Sequence, residues 1–173
     1  MTALETGAGA ARTAPSTTAG DRDSLTAFLD YQRATLAWKC SGLSEEQLRL
    51  RPIPSTGLSL LGLVRHVAEV ERSWFANVVQ GEGRGALWPR IDGEFAEFRV
   101  EDADVAEAFA FWQRECELSR AAAAAVGSLD DTVEFRGDTY SLRYVLTHMI
   151  EEYARHNGHA DLIREAIDGA TGE

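Results

Sequence analysis

Apolar residues recur at spacings of three and four along four long stretches of the chain, with polar residues between them. The first stretch runs from about Asp23 to Ser41, where Leu25, Phe28, Leu29, Gln32, Leu36 and Cys40 share one face. Gly42 closes it, and Ser44-Glu45-Glu46-Gln47 has the form of a capping box opening a short turn. Pro52, Pro54 and Gly57 then break the pattern. The second stretch begins at Ser59, a good N-cap, and carries Leu60, Leu63, Val64, Val67, Val70, Trp74 and Val78 as far as Gln80, with Gly81 as the stop. The third runs from about Asp104 to Val126, with Val105, Phe109, Trp112, Cys116 and Ser119 on one side. The fourth runs from about Ser141 to Ile167, and its opening, Ser-Leu-x-x-aliphatic-aliphatic-x-His-apolar, repeats the opening of the second. Residues 81–103 form a connection of the length that often lines a site. Thr132–Tyr140 alternates weakly around Gly137-Asp138 and reads as a small hairpin or an irregular loop. The pattern predicts an all-α four-helix bundle with long crossover connections.

Composition narrows this picture. The chain has 173 residues, about one domain's worth. Residues 1–20, rich in Ala, Thr, Gly and Ser, read as a flexible N-terminal tail, and residues 21–173 as the bundle. Seventeen basic against 28 acidic residues leave a net charge of −11, which opposes binding to nucleic acid or to an anionic membrane. No apolar run is long enough to span a bilayer, and the first residues lack the apolar segment of a secretory signal, so a reducing cytoplasm is the expected location. Two cysteines, Cys40 and Cys116, make neither a disulfide framework nor a zinc ribbon, and both fall on apolar faces as small hydrophobes. Trp38, Trp74, Trp112, Phe75 and Phe109 read as core, whereas Trp88 lies in the long connection.

Candidate chemistry comes from polar residues on apolar faces. On a helical wheel centred on Met149, residues Leu142, Val145, Leu146, Tyr153, Ala160, Ile163 and Ile167 fall within roughly 60°. His156 lies about 20° from that centre and Glu152 about 60° away, one turn apart on one face. A carboxylate beside a core is costly unless paired or coordinated. His66, at the edge of the second stripe, can join Glu152 and His156 if those two helices are neighbours. Two imidazoles and a carboxylate leave an open position, the arrangement of a catalytic zinc site, and nickel or iron suits the same donors. The alternative is a Glu–His hydrogen bond at a bundle surface with no metal, with Arg65, Arg72 or Arg155 as the competing cation, each more simply a solvated helix residue. His148, His159 and Glu69 are supporting candidates around the ligands.

The sequence Leu-x-x-Leu-Val-Arg-His66-Val-Ala-Glu-Val-Glu-x-x-Trp, followed in the fourth helix by Glu152-x-x-x-His156-Asn157-Gly158-His159, resembles the DinB/YfiT-like superfamily, and within it the branch called DUF664. The resemblance covers about residues 22–168. It implies a four-helix bundle with a metal triad on the second and fourth helices. The common fourth-helix pattern is His-x-x-x-His-Arg-Gly; here Glu152 takes the first position and Asn157-Gly158 replaces Arg-Gly. Mycothiol-dependent maleylpyruvate isomerase, a related family, is similar in using His, Glu and His on zinc. The resemblance implies a metal-dependent thiol S-transferase using mycothiol or a similar low-molecular-weight thiol, with the thiol and an electrophile as partners; a homodimer is a separate expectation. Metal-assisted hydrolysis on the same site, with Glu69 or His159 moving the proton, and a non-enzymatic metal-stabilised binding or stress protein are the alternatives.

Overall fold

A computed structural model describes residues 12–172. Its elements are α1 (Asp21–Cys40), α2 (Glu45–Arg49), α3 (Leu60–Glu71), a π-helical continuation (Arg72–Val79), a 3-10 turn (Ala96–Phe98), α4 (Val105–Ala125), the strands β1 (Thr132–Phe135) and β2 (Asp138–Ser141), and α5 (Leu142–Asp168). The helices start where short polar side chains satisfy the free N–H groups of a first turn. The Ser59 hydroxyl accepts from Gly62 N, the Asp104 carboxylate from Glu107 N, and the Ser141 hydroxyl from Tyr144 N. Both arms of the Ser44–Gln47 capping box are formed. The α5 helix stops at Gly169, whose φ of 79° is readily adopted by glycine.

Side-chain pairs fix the direction of each helix. Arg143 at the start of α5 meets Asp21 at the start of α1, and Arg164 near the end of α5 donates to the Lys39 and Ser41 carbonyls at the end of α1. These two helices therefore run parallel. Arg22, in the first turn of α1, donates to the carbonyls of Ala123 and Val126 at the end of α4, so α4 runs the opposite way. His66 meets Glu152 while Trp74 meets Tyr144, so α3 is antiparallel to α5. The order is up-down-down-up. Residues 81–103 are the crossover that returns along α3 to the start of α4. Arg49 holds its end through the Ala103 carbonyl at 2.7 Å. Gly62 lets it approach, since a Cβ there would sit 3.3 Å from Phe98 Cδ1.

The pattern predicted one α-helix from Ser59 to Gln80, whereas the helix widens at Glu71 into the π-helical stretch. Its last turn closes with Gln80 N donating to Phe75 O, a five-residue step. The apolar residues Val70, Trp74 and Val78 are spaced by four and stay on one side of either helix type.

Glu71, at that junction, is fully buried. Its carboxylate takes a bidentate pair from Arg33 Nε and Nη2, both at 2.7 Å, and a hydrogen bond from the Tyr153 hydroxyl at 2.8 Å. Trp112 Nε1 donates to that hydroxyl. One polar network therefore joins α1, α3, α4 and α5 inside a core of Leu29, Leu36, Val64, Val67, Met149 and Ile163.

Residues 132–141 form a hairpin, with Thr132 opposite Ser141 and Phe135 opposite Asp138. Its two-residue turn has positive φ at both Arg136 (55°) and Gly137 (93°), a type I′ geometry that favours Asn-Gly. Arg136→Asn is expected to stabilise the protein by about 1 kcal/mol, raising the melting temperature by about 2–4 °C in calorimetry. An unchanged melting temperature would show that the turn carries no strain.

Of the tail read at residues 1–20, residues 1–11 lie outside the described residues. In the remainder, Arg12 donates to the Tyr31 hydroxyl and lies over the Trp38 ring, 4.6 Å from its centroid.

Candidate metal centre

Ser59 starts α3 so that His66, seven residues later, falls on the side facing α5. On α5, Glu152 and His156 lie one turn apart and face back. Both imidazoles aim at one oxygen: Glu152 Oε1 lies 3.2 Å from His66 Nε2 and 3.3 Å from His156 Nε2. The rings meet edge to face at 4.8 Å between centroids. One donor atom from each of the three residues falls within 4.8 Å of the others.

These three residues could hold a divalent cation. Donors held at about 2.1 Å in a tetrahedral site are separated by about 3.4 Å, close to the two carboxylate–imidazole distances observed. Burial raises the Glu152 carboxyl, but the hydrogen bond from His66 and the adjacent His156 outweigh it and hold the carboxyl below its usual range. Burial and the neighbouring His66 ring lower His156, which favours the neutral, metal-ready imidazole. The side chains are 22 %, 15 % and 13 % exposed for His66, Glu152 and His156, so the cluster is sheltered yet reachable.

A cavity of about 320 Å³ opens beside the cluster, with His66, Glu69, Trp74, Trp88, Arg90 and Glu97 on its walls. Trp88 N donates to Glu69 Oε1 at 2.7 Å, and burial raises the Glu69 carboxyl. Glu97, from the 3-10 turn in the crossover, places Oε1 3.4 Å from His66 Nδ1. The crossover has no periodicity from which Glu97 could be read; the length of the connection was its only signal.

The remaining candidates separate clearly. The His159 ring lies 5.5 Å from His156, and its buried Nδ1 has no hydrogen-bond partner among the described residues. His148 packs on Trp74 at 4.4 Å between centroids and lies 3.9 Å from Glu151. Arg65 was read as solvated but is buried, stacking over Trp88 and donating to the Arg99 carbonyl. Arg72 pairs with Glu115 and Arg155 with Glu151. Trp38 and Trp74 are less enclosed than a core reading implied: Trp38 is 39 % exposed and Trp74 lines the cavity. Cys40 and Cys116 are buried free thiols; burial pushes Cys40 up to about 12 and Cys116 higher still. Neither supplies a thiolate.

Among the described residues, no helix is long and apolar enough to cross a membrane. No curated protein matches the sequence. The profile of one family, described as mycothiol-S-transferase, matches residues 24–169, from the first turn of α1 to just past the end of α5. That span holds the bundle, the crossover and the His66–Glu152–His156 cluster, and the chain belongs to the mycothiol S-transferase family of the DinB/YfiT-like superfamily.

Proposed function

We propose that the protein is a metal-dependent thiol S-transferase that conjugates mycothiol, or a similar low-molecular-weight thiol, to an electrophile. The observation that carries this reading is the convergence of His66, Glu152 and His156 beside a cavity whose wall includes His66 itself. These three residues would hold the cation, with zinc favoured by the two-imidazole, one-carboxylate set and nickel or iron compatible with it. A cation bound there supplies the charge that lets a thiol ionise near neutral pH.

The chain's own groups account for the rest. Neutral imidazoles and one carboxylate leave a net charge near +1, which suits an anionic sulfur. With Cys40 and Cys116 buried and protonated, the sulfur comes from outside the chain. Glu69, a cavity-wall carboxylate raised by burial, can take the thiol proton. The S–H bond breaks as that proton transfers, the sulfur pair forms the S–C bond, and the bond broken at carbon gives its pair to a departing halide or to an epoxide oxygen, which takes the proton back from Glu69. Trp74 and Trp88 offer apolar faces on which the electrophile can lie.

The test is conjugation of mycothiol to a panel of aryl halides and epoxides, before and after chelation. Activity is expected to vanish on metal removal and return with zinc. If fully metallated protein ignores thiols but cleaves esters or amides, a hydrolase is the better reading. If it does neither, a metal-stabilised binding protein is.

A further inference from the structure

We propose that Glu97 is a positioning residue for His66, keeping the ring proton on Nδ1 so that Nε2 offers its lone pair to the metal. The inference rests on the metal reading above. It ties metal affinity to the seating of the 81–103 crossover.

Glu97 and Phe98, consecutive in the chain, hold the same ring. Glu97 Oε1 faces Nδ1 at 3.4 Å, and the Phe98 ring stacks on the imidazole at 5.2 Å between centroids and 27° between planes. The opposite nitrogen, Nε2, faces Glu152. A neutral imidazole carries one N–H and one lone pair, and an ionised carboxylate can only accept. With Glu97 on Nδ1, the proton belongs on that side whenever Nε2 serves as a ligand. The Glu97 side chain is only 5 % exposed, an expensive place for a carboxylate without a donor to receive.

The crossover is fastened on both sides of this contact. Arg65 donates to the Arg99 carbonyl, and Trp88 N donates to Glu69. The bare face of Gly62 lets Phe98 reach the ring. By linkage, whatever seats Glu97 raises metal affinity, and metal binding seats the crossover in return.

Zinc affinity of the full chain, measured by competition with a chromophoric chelator, tests this. Glu97→Ala is expected to lower affinity about 10–100-fold. Glu97→Gln, which keeps an acceptor oxygen, should lose less. Glu101→Gln should change nothing, because Glu101 meets Arg51 at the surface. In the zinc-loaded wild type, an imidazole 1H–15N spectrum should show a protected His66 Nδ1–H signal that Glu97→Ala loses to solvent exchange. Zinc should also slow amide exchange across residues 84–99 in the wild type but not in Glu97→Ala. Unchanged affinity together with a retained Nδ1–H signal in Glu97→Ala overturns the proposal and leaves the metal reading standing. A wild-type chain with no measurable zinc affinity overturns both.

Discussion

His156→Ala is expected to lower zinc affinity by about 10²–10³-fold while leaving the metal-free fold nearly intact. Structural zinc binding in small peptides is worth about 10–16 kcal/mol over four ligands, so one ligand accounts for about 2.5–4 kcal/mol, at 1.4 kcal/mol per tenfold. The metal-free protein should lose little, because His156 Nδ1 is buried with no hydrogen-bond partner among the described residues and Nε2 makes one long contact to Glu152. Cobalt-substituted protein separates ligation from stability. Mycothiol should produce a sulfur-to-cobalt charge-transfer band in the wild type, and His156→Ala should abolish it. Glu152→Gln should weaken it, since an amide is a poorer ligand than a carboxylate. A wild-type band that persists in His156→Ala would remove His156 from the ligand set.

The largest expected stability loss lies elsewhere, at Glu71. Removing one member of a buried, hydrogen-bonded ion pair leaves its counter-charge stranded, at a cost of about 3–5 kcal/mol. Glu71→Ala would take the buried bidentate partner from Arg33, itself 5 % exposed, leaving it the surface carboxylate of Asp30, and would remove the acceptor of the Tyr153 hydroxyl. The melting temperature should fall by about 6–20 °C, at 2–4 °C per kcal/mol for a chain of this size. The effect should depend on pH. Burial would raise the Glu71 carboxyl, but the charge and hydrogen bonds of Arg33 outweigh it and hold the folded value below the usual carboxylate range. Stability from a depressed carboxyl is present above its unfolded value of about 4.3 and is lost as pH falls through the folded value. Wild type should therefore destabilise steeply in acid, whereas Glu71→Ala should have a shallower acid limb. Parallel acid limbs would show that Glu71 is not the group responsible.

Three of the long helices were legible because each carries an apolar stripe that opens at its own cap, Ser59, Asp104 and Ser141, whereas α1 opens at Gly20 with no side-chain cap and was legible from its stripe. Glu152 and His156 were legible for the related reason that polar groups stood where the stripe required apolar ones. The same signal was present at Glu71, four residues after Val67, and at Arg33, four after Leu29; both fall on apolar stripes and both are buried. They differ from the Glu152 cluster in forming a bidentate ion pair with each other, completed by Tyr153 on Glu71 and Asp30 on Arg33. The π-helical stretch was illegible because four-residue spacing suits both helix types. Glu97 was illegible because an aperiodic connection gives no facing rule. Its place depends on the crossover lying back along α3, a tertiary fact with no local sequence signature.

The crossover also divides the work between two kinds of scaffold. The three candidate donors stand on α3 and α5, whose seating is set by core packing. Much of the cavity wall, including Trp88, Arg90 and Glu97, stands on a strap anchored at its two ends. A helix cannot gain or lose a residue without rotating everything beyond it by about 100°. A strap can lengthen at small entropic cost, each doubling adding about 0.6 kcal/mol. Insertions and substitutions between about residues 82 and 95 can therefore reshape what enters the cavity while the donors keep their spacing. On the proposed function, electrophile preference in this architecture would drift or be engineered independently of the metal site, provided the stretch from Glu97 to Arg99 stays in register with His66 and Arg65.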